Sequence, residues 1–174
     1  MILIGFMGCG KTSTSIKLSY RMRRTMIDTD RWIEQKQGKS ISEIFAEEGE
    51  EAFRNMETQC LQELLEDRSG QIISVGGGLP MKKENQKLLR ELGLVIYLQV
   101  TPQTVYERLK NDTTRPLLQS ENPRQKIEEL LEKRAPIYEQ AANYIIEVKD
   151  RSCEEVAELI IQIAAENGIM IMED

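Results

Sequence analysis

Gly5-Phe6-Met7-Gly8-Cys9-Gly10-Lys11-Thr12 matches the pattern G-x-x-x-x-G-K-[ST] in full. Glycines so spaced let the chain turn until successive N–H groups face inward on an anion. The lysine reaches the outer phosphates of a nucleoside triphosphate, and the hydroxyl after it can ligate Mg²⁺. Gly8, Cys9, Gly10, Lys11, Thr12 and Ser13 are therefore candidate nucleotide-binding residues, with Lys11 also a candidate for catalysis. Asp28-Thr29-Asp30 supplies two carboxylates. Asp28, with Thr12, suits a magnesium site, directly or through a water. Asp30 has two readings, a partner for an acceptor hydroxyl or the N-cap of the next helix.

Further along the chain, Arg54 and Glu57 stand three apart, the spacing of helix-surface neighbours and commonly of a solvated ion pair. Gly76-Gly77-Gly78 directly follows an apolar run, which points to a ligand-facing backbone that something approaches closely rather than a plain tight turn. Arg108, Arg115 and Arg134 carry the side chain best suited to planar contact with carboxylate or phosphate. The sequence contains no histidine. Ser-His-Asp and Cys-His hydrolysis are thereby excluded, and proton transfer falls to carboxylates, lysine, cysteine, tyrosine or water.

To hold these residues, apolar runs alternate with amphipathic stretches, the pattern of a parallel sheet wrapped by helices. Strands are expected at Ile2–Gly5, Thr25–Asp28, Gln71–Val75, Gly93–Gln99 and Tyr144–Lys149. Helices are expected at Lys11–Arg23, Asp30–Gln37, Ser42–Ala46, Glu50–Glu66, Lys82–Leu92, Pro102–Lys110, Arg124–Arg134 and Cys153–Asn167. Ser40–Glu43 and Ser152–Glu155 read as capping boxes, and Thr101-Pro102 as a cap followed by proline at the first helical position. Residues at about 111–124 have turn chemistry without periodicity, as a mobile lid would, and Arg115 lies inside it.

The 174 residues suit one domain, with substrate-binding helices at about 30–66. A net charge of −6 argues against nucleic acid as a partner. Cys9, Cys60 and Cys153 show neither zinc nor disulfide spacing, and no apolar stretch approaches the ~20 residues of a membrane span. A cytoplasmic protein without a membrane partner is expected.

Taken jointly, the phosphate loop, Asp28-Thr29-Asp30, Gly49-Glu50-Glu51-Ala52-Phe53-Arg54-Asn55-Met56-Glu57, Gly76-Gly77-Gly78, Arg115-Pro116-Leu117-Leu118 and Arg134-Ala135-Pro136-Ile137-Tyr138 resemble the shikimate kinases, in that family's order and over essentially the whole chain. The resemblance implies a monomeric three-layer α/β/α fold with a five-stranded parallel sheet of order 2-3-1-4-5 and a lid. It also implies transfer of the ATP γ-phosphoryl group to the 3-hydroxyl of shikimate, with Mg²⁺ as cofactor. By the same resemblance Asp30 accepts the reacting hydroxyl, while Arg54 and Arg134 clamp the substrate carboxylate. Gly76, Gly77 and Gly78 line the pocket, Arg115 meets the phosphates, and Arg108 and Arg151 lie beside the adenine. A kinase acting on gluconate or a nucleoside monophosphate is the alternative. Residues 19–24 lack the leucine-glycine ending usual for the family's first helix, and Cys9 raises the question of oxidation.

Overall fold

Short apolar runs form the centre of the sheet because a parallel strand there is covered on both faces, while the edge strands Met26–Asp28 and Tyr144–Glu147 are only partly buried. The computed structural model describes residues 1–67, 70–112 and 121–171. Strands β1 (Ile2–Ile4), β2 (Met26–Asp28), β3 (Ile72–Ser74), β4 (Val95–Gln99) and β5 (Tyr144–Glu147) lie parallel in the order β2-β3-β1-β4-β5. The expected order therefore holds. Ile2, Leu3 and Ile4 at the centre are wholly buried, as are Val95 to Leu98 beside them.

Helices α1 (Lys11–Met22), α2 (Thr29–Gln37), α3 (Ile41–Glu66), α4 (Lys83–Leu92), α5 (Pro102–Leu109), α6 (Pro123–Ala141) and α7 (Cys153–Glu166) flank the sheet, with a 3₁₀ turn at Leu79–Met81. Both capping boxes form, and the Thr101 hydroxyl accepts from the Thr104 N–H. Register sets the site. Asp28 pairs with Ser74, and Ser74 with Leu3, so β2, β3 and β1 end at nearly one level. The chain leaving these ends carries the phosphate loop, the Asp28–Asp30 segment and the three glycines, the usual location of ligands in an open α/β sheet.

Three boundaries differ from expectation. Ser42–Ala46 and Glu50–Glu66 are one helix, α3, broken at Gly49, whose φ of 85° and ψ of 173° only glycine adopts readily. Helix α6 does not stop before Pro136 but runs to Ala141. Its last turns are anchored from outside: the Tyr138 ring packs on Tyr97 and its hydroxyl donates to the Gly77 carbonyl at 2.6 Å. Helix α1 ends without a glycine. Arg23 takes the left-handed turn itself, at φ 52°.

Candidate active site

The phosphate loop connects β1 to α1 and presents a cavity of about 210 Å³ lined by Gly8, Gly10, Lys11, Thr12 and Ser13. Gly10, at φ 95°, turns the chain into α1, so the helix's first N–H groups face this space. Lys11 Nζ donates to the carbonyls of Gly5 and Phe6 at 2.7 and 3.1 Å and lies 3.6 Å from Cys9 Sγ. The Cys9 side chain therefore turns into the loop, only 2% exposed, and is sequestered from solvent.

Asp28, not Asp30, caps α2. Its Oδ1 accepts from the N–H groups of Asp30 and Arg31 at 3.1 and 3.3 Å, while Oδ2 accepts from the Thr12 hydroxyl at 3.4 Å. That corrects the capping alternative for Asp30. Asp30 projects from the first turn of α2 towards Gly76, and its buried Oδ1 has no hydrogen-bond partner among the described residues. Burial foremost, then the Asp28 charge, pushes its carboxyl up to about 6, against the opposing pull of Lys11.

A second cavity, of about 350 Å³, adjoins the first and is lined by Arg54 and Glu57 of α3, Arg134 of α6 and Gly76 to Gly78. Asp30, Met7, Gly76 and Gly77 border both cavities. Apolar walls come from Ile41, Phe45 and Phe53. Arg54 donates to Glu57 at 2.8 Å and to Glu50 at 3.1 Å. This corrects the solvated-pair reading: the Glu57 side chain is 1% exposed. Burial is the first cause raising its carboxyl, to about 7, opposed by Arg54.

The glycines make room. A Cβ on Gly76 would fall 2.5 Å from Asp30 Oδ1, and one on Gly78 would fall 2.5 and 2.7 Å from Nη2 and Cζ of Arg54. The close approach inferred from the sequence is thus made by the protein's own side chains. Two residues with no role assigned from the sequence hold the glycine segment. The Thr29 hydroxyl accepts from the Gly76 N–H at 3.0 Å, and Tyr138 holds the Gly77 carbonyl. Because a trans peptide points C=O and N–H opposite ways, the Tyr138 bond also aims the Gly78 N–H away from α6. Thr29 lay in plain sight between two aspartates, but only the fold shows that it faces β3.

Arg108 lies outside both cavities, bridging the carbonyls of Gly8 and Val148 at 3.0 and 3.2 Å. Arg151 donates to the Glu147 carbonyl and lines a separate groove between β5 and α7. Arg115 and most of the expected lid, 113–120, lie outside the described residues. Among the described residues, no helix is long and apolar enough to cross a membrane.

The family description "Shikimate kinase" matches residues 7–165. A shikimate kinase of Dehalococcoides mccartyi is 48% identical over 91% of this chain and 89% of its own length. One from Thermodesulfovibrio yellowstonii is 42% identical over 93% and 92%. Among solved structures, shikimate kinase from Acinetobacter baumannii in complex with shikimate superposes with a TM-score of 0.88 at 38% identity, covering 95% of this chain and 92% of that one.

Proposed function

The chain belongs to the shikimate kinase family, and we propose that it transfers the γ-phosphoryl group of ATP to the 3-hydroxyl of shikimate, giving shikimate 3-phosphate and ADP. One observation carries the residue assignment. Asp30 stands in the wall common to the phosphate cavity and the cavity of Arg54 and Arg134. An alcohol hydrogen-bonded to Asp30 sits between the two, with its molecule's carboxylate among guanidinium groups and its oxygen facing the triphosphate.

Each residue then has a physical task. Arg54 and Arg134 bind and orient the carboxylate through charge-assisted hydrogen bonds, and the amides of Gly77 and Gly78 add neutral donors. Asp30 orients the 3-hydroxyl for in-line attack and accepts its proton late in the transfer. Lys11 and the N–H groups from Gly8 to Ser13 neutralise charge on the β- and γ-phosphates. Phosphoryl transfer asks mainly for such positioning and charge stabilisation, so a site without histidine suffices.

Thr12 Oγ1 and Asp28 Oδ2, both hard oxygen donors 3.4 Å apart, fit Mg²⁺, which takes few protein ligands and keeps waters and phosphate oxygens. Bound there, Mg²⁺ would offset negative charge on the phosphates. Arg115 is assigned to the phosphates from the lid, and Arg108 to the adenine. Arg151 is assigned there too, which requires its side chain to leave Glu147. The same reading makes the protein a cytoplasmic monomer, one domain in extent, with no nucleic-acid or membrane partner.

The test is ADP release from Mg²⁺-ATP with shikimate, gluconate and nucleoside monophosphates as acceptors. Shikimate alone should be turned over; gluconate or a monophosphate as the productive acceptor would refute the reading. Arg134→Ala should raise the shikimate KM by about 10- to 100-fold, the worth of a charge-assisted contact, with the ATP KM little changed. An equal loss for both ligands would make Arg134 structural.

A further inference from the structure

We propose, resting on the reading above, that Tyr138 is a positioning residue for the acceptor's carboxylate: its hydroxyl locks the peptide between Gly77 and Gly78, so that this segment offers the substrate donors only. Every carbonyl of the three glycines is taken within the protein. That of Gly76 accepts from the Leu79 N–H and that of Gly78 from the Met81 N–H, both at 3.1 Å. The Gly77 carbonyl accepts from the Tyr138 hydroxyl at 2.6 Å. Of the amides, the Gly76 N–H donates to Thr29. The N–H groups of Gly77 and Gly78 donate to nothing among the described residues. In the wall of the cavity of Arg54 and Arg134, the segment thus keeps two donors and no acceptor, the complement of a carboxylate.

A lock is needed because both flanking residues are glycine. Turning the peptide plane over changes only ψ of Gly77 and φ of Gly78, and carries φ of Gly78 from −87° to a positive value. An L-residue resists that change; glycine does not. The 3₁₀ bonds hold the carbonyls of Gly76 and Gly78 but not this plane. Turned over, it would aim the Gly77 carbonyl where the Gly78 N–H had been, and an acceptor would meet the incoming anion.

Tyr138 suits the task. Wholly buried, it packs on Tyr97 with ring centroids 5.1 Å apart, which fixes the direction of its hydroxyl. Burial holds the phenol well above the usual tyrosine range, against the opposing pull of Arg134, so it stays a donor. It also stands one helical turn past Arg134. A Cβ on Gly77 would lie 3.6 Å from the Tyr138 hydroxyl and 3.8 Å from Arg134 Nη1. The guanidinium and the locked peptide therefore lie together, able to take the two oxygens of one carboxylate.

Tyr138→Phe keeps the ring and removes the lock. Titration calorimetry with three ligands tests it: shikimate, its carboxamide and ATP. The shikimate Kd should rise about tenfold or more, the worth of a hydrogen bond to a charged group. The carboxamide, whose NH₂ can donate to a turned carbonyl, should bind Tyr138→Phe at least as well as it binds the wild-type protein. The ATP Kd should not move. An unchanged shikimate Kd would overturn the inference. So would equal weakening of acid and carboxamide, the mark of a merely loosened wall. The wild-type protein gives a second reading that needs no variant. In protein labelled with ¹⁵N-glycine, shikimate should shift the Gly78 amide proton downfield, and a resonance that stays put would overturn the inference as well. Each of these failures leaves the functional reading standing, whereas a wild-type protein that binds no shikimate would sink both.

Discussion

Gly78 has a φ of −87°, a value any residue adopts, so its small size has another reason. Arg54 lies against its Cα, and a methyl there would meet Nη2 and Cζ at 2.5 and 2.7 Å. Gly78→Ala should displace the guanidinium and raise the shikimate KM by about tenfold or more, the worth of one charge-assisted hydrogen bond. The ATP KM and the melting temperature should change little, as steady-state kinetics and thermal unfolding would show. The glycines were conspicuous in the sequence, but what pressed on them was not. Arg54 comes from α3 and Asp30 from α2, and no spacing rule tells which of two distant side chains will lie against a third segment.

At the level of elements, Arg23 occupies the left-handed turn that closes α1, at φ 52° and ψ 42°, where the Cβ of an L-residue is strained. Arg23→Gly should therefore stabilise the protein by about 0.5–1 kcal/mol, measurable by urea denaturation. An unchanged or lower midpoint would mean that the arginine's own contacts outweigh the relief. The missing glycine was visible in the sequence; the chain's answer to it was not. Local signals read true elsewhere. Ser40 and Ser152 cap their helices as four-residue patterns should, because capping involves no distant partner. Pro136 misled for the converse reason. Its cost to α6 is local, but the turn that follows is held by Tyr97 and Gly77, which belong to other elements.

Across the whole molecule, the site works against stability. Glu57 titrates near 7 in the folded protein, and Asp30 near 6, both above their ordinary range. The native state consequently holds more protons than the unfolded chain between about pH 4 and 7, and stability falls as pH rises through that window. Glu57→Gln removes the larger share. It should match the wild-type protein near pH 4.5 and exceed it at pH 8 by about 2–3 kcal/mol, as denaturant unfolding at the two pH values would reveal. A constant difference between them would mean that the carboxyl titrates normally. The strands and the phosphate loop were legible because alternating apolar runs and one strict motif suffice for them, whereas the strand order came from resemblance. Convergence of Asp30, Arg54 and Arg134 was legible only by resemblance. Physically it depends on β1, β2 and β3 ending together, which follows from register.

Arg108 ties the carbonyl of Gly8, in the phosphate loop, to that of Val148, just past β5. One guanidinium thus works as a cross-brace between two loops far apart in the chain. Its removal would slacken the triphosphate's seat while also taking away any grip on the base. A fall in ATP affinity after such a change would confound architecture with recognition, and only a ligand stripped of its base, such as inorganic triphosphate, could tell the two apart.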